Sequence, residues 1–139
     1  MVPYKGIMIV DDDVEDQDVL EDALKTIDAE EPLYFEKDGI DALNRLEKLF
    51  TQNFLPCLLV ADLNMPKMGG LHLLQHLKKE ERYKKIPVII YSTSINPLEK
   101  EQCLSSGAHS YITKPLTYKE NIEVAKHFLS LCSELSVRG

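Results

Sequence analysis

Ile7-Met8-Ile9-Val10-Asp11-Asp12-Asp13 is the stretch that decides the fold. Four apolar residues, three of them β-branched, stop abruptly at charge, the pattern of a short strand buried on both faces of a parallel sheet. The pattern returns twice: Leu58-Leu59-Val60-Ala61 stops at Asp62, and Val88-Ile89-Ile90-Tyr91 stops at Ser92. Leu33-Tyr34-Phe35 and Ser110-Tyr111-Ile112-Thr113 supply two further strand candidates, the second running into Lys114.

Between these runs the apolar period changes from strand to helix. Val14, Val19, Leu20, Ala23, Leu24 and Ile27 recur at helical spacing, with acids in the first turns where they complement the helix dipole. Ile40, Leu43, Leu46, Leu49 and Phe50 form a second stripe after Asp38-Gly39, and a third helix is predicted near Leu71 to Lys79. Asn96 as N-cap with Pro97 in the first turn opens a fourth helix, and Gly107 stops it. Thr117-Tyr118-Lys119-Glu120 is a capping-box pattern ahead of a fifth, carrying Ile122, Val124, Ala125, Phe128, Leu129 and Leu131. Five strands alternating with five helices predict an α/β, doubly wound five-stranded parallel sheet covered on both faces, whose ligands bind beyond the carboxyl ends of the strands.

Composition narrows the function. The chain of 139 residues is 44% hydrophobic, enough for one sizeable core, so a single domain over 1–139 is expected, with its core about residues 5–132 and a frayed tail over 133–139. Sixteen basic against twenty-three acidic side chains give a net charge of −7, which disfavours nucleic acid and anionic membranes and favours a protein or small-molecule partner. Cys57, Cys103 and Cys132 are odd in number, far apart and outside any C-x-x-C pair, so reduced thiols and a cytoplasmic location are expected. The N-terminal run before the aspartates is too short for a signal peptide or a membrane span.

The polar residues that end the strands carry the chemistry. Asp11 and Asp12 follow the first strand, Asp62 the third, Ser92 the fourth and Lys114 the fifth, and all five fall on one edge of the sheet. Three carboxylates gathered closely repel one another unless a cation joins them, and an oxygen-rich site with few protein ligands suits Mg2+. Beside such an ion a carboxylate oxygen could attack phosphorus in line, Lys114 could pair with a phosphoryl oxygen, and the Ser92 hydroxyl could hold another. Each residue taken singly has a bland alternative as a helix cap, a solvated lysine or a turn serine; their joint placement tips the balance.

From the first strand through the last helix the chain resembles the receiver domains of two-component response regulators. Ile9-Val10-Asp11-Asp12-Asp13 resembles the family's acidic pair. Asp62-Leu63-Asn64-Met65-Pro66 with Gly69-Gly70 resembles its phosphoacceptor segment, and Tyr111-Ile112-Thr113-Lys114-Pro115 its lysine loop. The resemblance implies a flavodoxin-like fold of strand order 2-1-3-4-5 and a stand-alone receiver. It makes Asp62 the phosphoacceptor, Asp12 a direct Mg2+ ligand, Asp11 a ligand through water, and the Asn64 backbone carbonyl a further contact. Asp13 matches no family ligand and is read as a helix cap. Ser92 and Tyr111 take the switch positions, although a half-buried strand aromatic with no role remains the alternative for Tyr111. The resemblance also implies a cis Lys114-Pro115 bond, a sensor histidine kinase or histidine phosphotransfer protein as donor, with a kinase of the phytochrome class as one candidate, and a downstream protein target docking on the face of the fourth helix, fifth strand and fifth helix. A homodimer is left open. The domain would catalyse only its own phosphorylation and dephosphorylation.

Four other readings compete with this one. An aspartate-nucleophile phosphatase places its nucleophile after the first strand in Asp-x-Asp-x-Thr/Val, whereas Asp11-Asp12-Asp13-Val14-Glu15 ends in glutamate. An EF-hand loop needs a glycine at its sixth position and a preceding helix. His72 and His76 share a helix face but lack a third ligand, and His109 and His127 stand apart. A pseudo-receiver working only as an unphosphorylated interaction module is the alternative to phosphoryl transfer.

Overall fold

The computed structural model describes residues 2–27 and 29–138, with side chains through residue 135. Strands β1 (Ile7–Val10), β2 (Leu33–Glu36), β3 (Leu58–Ala61), β4 (Val88–Ser92) and β5 (Ser110–Thr113) alternate with helices α1 (Val14–Thr26), α2 (Gly39–Thr51), α3 (Gly70–Lys79), α4 (Pro97–Ser105) and α5 (Tyr118–Arg138). The strands form one sheet in the order β2-β1-β3-β4-β5, as the resemblance implies, with every pairing parallel, as the alternation of elements predicts.

The strand pleat divides the apolar residues between two cores. Met8, Val10, Leu59, Ala61, Val88 and Ile90 face a layer holding Ala42, Leu46 and Leu49 of α2, Leu73, Leu74 and Leu77 of α3, and Cys103 of α4. Ile7, Ile9, Leu58, Val60, Ile89 and Tyr91 face Leu20, Ala23 and Leu24 of α1 and Ala125, Phe128 and Cys132 of α5. A strand with residues of both parities buried has to be apolar throughout, which is why β1, β3 and β4 show no polar alternation.

Local chemistry sets the helix ends. The Asp13 carboxylate accepts from the Glu15 and Asp16 amides and caps α1, while Asn96 accepts from Leu98 N–H ahead of Pro97. Thr117 and Glu120 pair as a capping box: the Thr117 hydroxyl accepts from the Glu120 amide and donates to its carboxylate. Gly107, just past α4, takes φ +106°, a left-handed conformation open to glycine at little cost.

Three expectations change. Helix α5 continues through Arg138, so residues 133–138 are helical where fraying was expected; the apolar stripe thins there and periodicity alone could not carry the helix further. No cis peptide bond occurs among the described residues, so Lys114-Pro115 is trans, the ordinary state of an X-Pro bond. Cys57 and Cys132 are joined as a disulfide with Cα atoms 4.9 Å apart, although 75 residues separate them in sequence. Their wide spacing suggested unpaired thiols, but the crossover topology brings the residue before β3 beneath the C-terminal half of α5. Cys103 is free, as expected, and it is buried.

The cross-link closes a loop of 75 residues, and by chain entropy its loss costs about 4 kcal/mol. Cys132→Ala, or reductant added to the unaltered chain, is expected to lower the thermal midpoint by a clearly measurable margin in a melting experiment followed by circular dichroism. A midpoint indifferent to reductant would show that the two thiols are unlinked in solution.

Candidate functional site

The carboxyl ends of β1, β3, β4 and β5 converge on one acidic pocket. Backbone pairing places each side chain: the Asp11 amide donates to Glu36 O, the Asp62 amide to Val10 O, and the Lys114 amide to Ser92 O. The sheet ladder thus runs directly into the residues that carry charge. Gln17 of α1 donates from Nε2 to the carbonyls of both Asp11 and Glu36, pinning the acidic loop to the end of the sheet.

Asp11 is buried, Asp62 half-buried and Asp12 exposed, and one carboxylate oxygen from each lies within 4.8 Å of the others. The other cluster of possible ligands among the described residues, Glu31 with Cys57 and Cys132, lies elsewhere; no histidine joins either, so the His72/His76 alternative finds no support. Among the described residues Lys114 is the cation of the acidic pocket. Its Nζ donates to Asp11 Oδ2 at 2.8 Å and to Asp16 Oδ2 at 2.8 Å, and stands 3.5 Å from Asp62 Oδ2. Asp62 Oδ1 accepts from Leu63 N–H and Asp11 Oδ1 from Asp13 N–H, so one oxygen of each carboxylate is held by backbone.

Burial raises the Asp62 carboxyl above its ordinary range; Lys114 offsets this in part, and Asp11 adds to it. Burial likewise raises Asp11 against the hydrogen bonds from Lys114 and Asp13. For Lys114, burial works against the charged form, but the bonds to Asp11 and Asp16 outweigh it and hold the ammonium above its ordinary value. One ammonium does not neutralise this many carboxylates, and the residual repulsion in an all-oxygen cluster fits a hard divalent cation held by Asp11, Asp12 and Asp62.

The remaining predicted residues lie at the ends of β4 and β5 and on the loop after β3. Ser92 is buried and its Oγ accepts from Ser94 N–H, while its own O–H makes no hydrogen bond to another described residue. Asn64 is exposed on the loop after β3. Tyr111, half-buried, donates from its hydroxyl to Ser94 O at 2.9 Å, tying β5 to the loop between β4 and α4. Asp16 and Gln17 escaped sequence reasoning. Asp16 read as one more acid complementing the α1 dipole, and the only available signal was a further carboxylate one turn beyond an acidic pair. Gln17 left no signal.

The sequence profile of the response regulator receiver domain matches residues 7–126. The chain belongs to the response regulator receiver family. It is 31% identical over 121 residues to the chemotaxis protein CheY1 of Helicobacter pylori, spanning 85% of this chain and 94% of that one. It is 29% identical over 120 residues to the response regulator Rcp1 of Synechocystis sp., spanning 85% and 82%. Among solved structures it resembles the Mn2+-bound form of Rcp1, with TM-score 0.79 and 27% identity over 91% of this chain and 92% of that one. It also resembles the phosphorylated cyanobacterial phytochrome response regulator RcpA, with TM-score 0.80 and 28% identity over 89% and 90%. Receiver domains are signalling modules of two-component systems, and no helix among the described residues is long and apolar enough to cross a membrane.

Two predictions follow from the pocket's geometry. A Cβ on Gly70 would collide with the Asp62 carbonyl oxygen, in backbone that cannot give way without moving the carboxylate. Gly70→Ala is therefore expected to cost about 1–3 kcal/mol in denaturant unfolding and to weaken metal binding. The raised carboxyls of Asp11 and Asp62 favour the fold when protonated: in metal-free protein they contribute stability below the ordinary aspartate range, and this is lost as pH rises through their elevated values. A divalent cation needs the ionised forms, so Mg2+ should raise the thermal midpoint at neutral pH, with the gain shrinking as acid protonates the pair. A midpoint shift by Mg2+ that is independent of pH would contradict this.

Proposed function

We propose that this chain is a single-domain response regulator that accepts a phosphoryl group on Asp62 and signals through altered protein binding. The observation that carries the proposal is the juxtaposition of Asp11, Asp12 and Asp62 with Lys114 at the carboxyl end of the sheet. Asp12, Asp62 and the Asn64 carbonyl would hold Mg2+ directly and Asp11 through water; the ion supplies charge neutralisation for the transferring group.

The Asp62 carboxylate is the nucleophile. Its Oδ1 is fixed by Leu63 N–H, which sets the side-chain orientation and limits the search for an in-line attack. One oxygen bonds to phosphorus while the bond to the donor breaks, the donor being a phosphohistidine of a sensor kinase or phosphotransfer protein. Lys114 offers an ammonium to the transferred group's oxygens, and the undonated Ser92 hydroxyl offers a hydrogen bond. Hydrolysis of the aspartyl phosphate resets the domain, so it catalyses only its own phosphorylation and dephosphorylation.

The signal arises because Ser92 and Ser94 share a loop with the Tyr111 anchor. Phosphorylation adds about two negative charges and three acceptor oxygens at Asp62. Drawing the Ser92 hydroxyl toward them disturbs its bond from Ser94 N–H and, through Ser94 O, the hold on Tyr111. Ile95 and Leu98 are exposed at the start of α4, and Leu116 and Tyr118 between β5 and the first turn of α5, so apolar side chains are available to a protein target. A coupling of about 1–3 kcal/mol between site and face suffices for a switch. A net charge of −7 argues against direct nucleic acid binding.

Incubation with acetyl phosphate and Mg2+, followed by intact-mass spectrometry, is expected to show a gain of one phosphoryl group that disappears in Asp62→Asn and with a chelator. No gain under conditions that modify another receiver would leave an interaction module working without phosphorylation.

A further inference from the structure

Asp16 is not among the residues that the phosphoacceptor chemistry requires, yet it makes one of the two shortest contacts to Lys114, at 2.8 Å. Asp16 is a first-turn residue of α1, three positions after the Asp13 cap, on an element that contributes no other side chain to the Lys114 ammonium among the described residues. The same ammonium stands farther from Asp62, at 3.5 Å. An ammonium has three protons, and here two are committed to carboxylates other than the phosphoacceptor. The side chain of Lys114 is 9% exposed and that of Asp16 is 39% exposed, so the pair is shielded on the lysine side and open to solvent on the other.

We propose that Asp16 is a positioning residue that restrains Lys114 and so slows phosphoryl acceptance at Asp62. The restraint has two physical parts. Asp16 holds one Lys114 proton that would otherwise be available to an incoming phosphoryl oxygen. Its negative charge also adds to those of Asp11, Asp12 and Asp62 in the field an anionic donor has to approach. Both parts act in the same direction, so removing the carboxylate accelerates phosphorylation. Asp16 touches no reacting atom; it acts through Lys114. This proposal rests on the assignment of Asp62 as phosphoacceptor, whereas the hold itself does not.

The test uses the full chain and four forms: unaltered, Asp16→Asn, Asp16→Glu and Asp18→Asn. Asp18 is exposed in the same helix and makes no ion pair among the described residues, so Asp18→Asn removes the same charge without touching Lys114. In metal-free protein the hold is read from the Lys114 ammonium signal in 15N-edited NMR. The signal is expected to be protected from solvent exchange in the unaltered chain and in Asp18→Asn, and broadened in Asp16→Asn. With acetyl phosphate and Mg2+, Asp16→Asn is expected to be phosphorylated about threefold faster than the unaltered chain, the scale of a partly exposed ion pair. Asp16→Glu, which keeps the charge and can reach the ammonium, should restore the slower rate, with Asp18→Asn close to unaltered.

A rate for Asp16→Asn equal to or below that of the unaltered chain overturns the restraint, as does an equal acceleration in Asp18→Asn, which would assign the effect to charge alone. An unchanged ammonium signal in Asp16→Asn overturns the hold. If the unaltered chain accepts no phosphoryl group while the ammonium signal responds as expected, the phosphoacceptor assignment fails and the Lys114–Asp16 hold stands.

Discussion

The structure depends on one electrostatic constraint: several carboxylates must be kept at the end of a buried sheet with a single ammonium among them. Lys114 is the centre of that arrangement. Its backbone amide extends the β4–β5 ladder through Ser92 O, and its side chain reaches across to the end of β1 and the first turn of α1. The two apolar cores on either side of the sheet supply the rigidity that makes this possible. Each buried apolar run is followed by a polar or charged residue, so a slip in register would draw that residue into the sheet, and the strand ends stay together. The charge is concentrated where the sheet stops and the cores no longer cover it.

Much of this was legible in the sequence, for identifiable physical reasons. Runs such as Ile7–Val10 and Leu58–Ala61 are short, β-branched or aliphatic and bounded by charge, and the strands begin and end with those runs. Asn96 with Pro97, and Thr117 with Glu120, announce helix starts through side-chain hydrogen bonds that reach only two or three residues. Because strand ends in a parallel sheet share an edge, the sequence by itself brings Asp11, Asp12, Asp62, Ser92 and Lys114 together.

The contacts that escaped are those between elements distant in the chain and unrelated by the sheet ladder. Asp16 reaches Lys114 across 98 positions, and Cys57 reaches Cys132 across 75. Neither separation has a periodicity to betray it. The pairing of Tyr111 with Ser94 O is of the same kind, a tertiary bond to a backbone carbonyl that any residue could have supplied. Resemblance brought an error of its own with the cis bond expected before Pro115. The end of α5 was missed for a different reason: after Leu131 the sequence offers too few apolar positions at helical spacing to mark how far the helix continues.

The disulfide between Cys57 and Cys132 lies at the opposite end of the sheet from the acidic pocket, since Cys57 precedes β3 and Asp62 follows it. Helix α5 therefore has a fixed heel and a toe that starts four residues after Lys114. A rod anchored in this way cannot slide along its axis; any push delivered near Lys114 is converted into a swing about the anchored end. The linear displacement of such a swing grows toward Tyr118, so the part of the helix nearest the chemistry is the part with the longest lever arm.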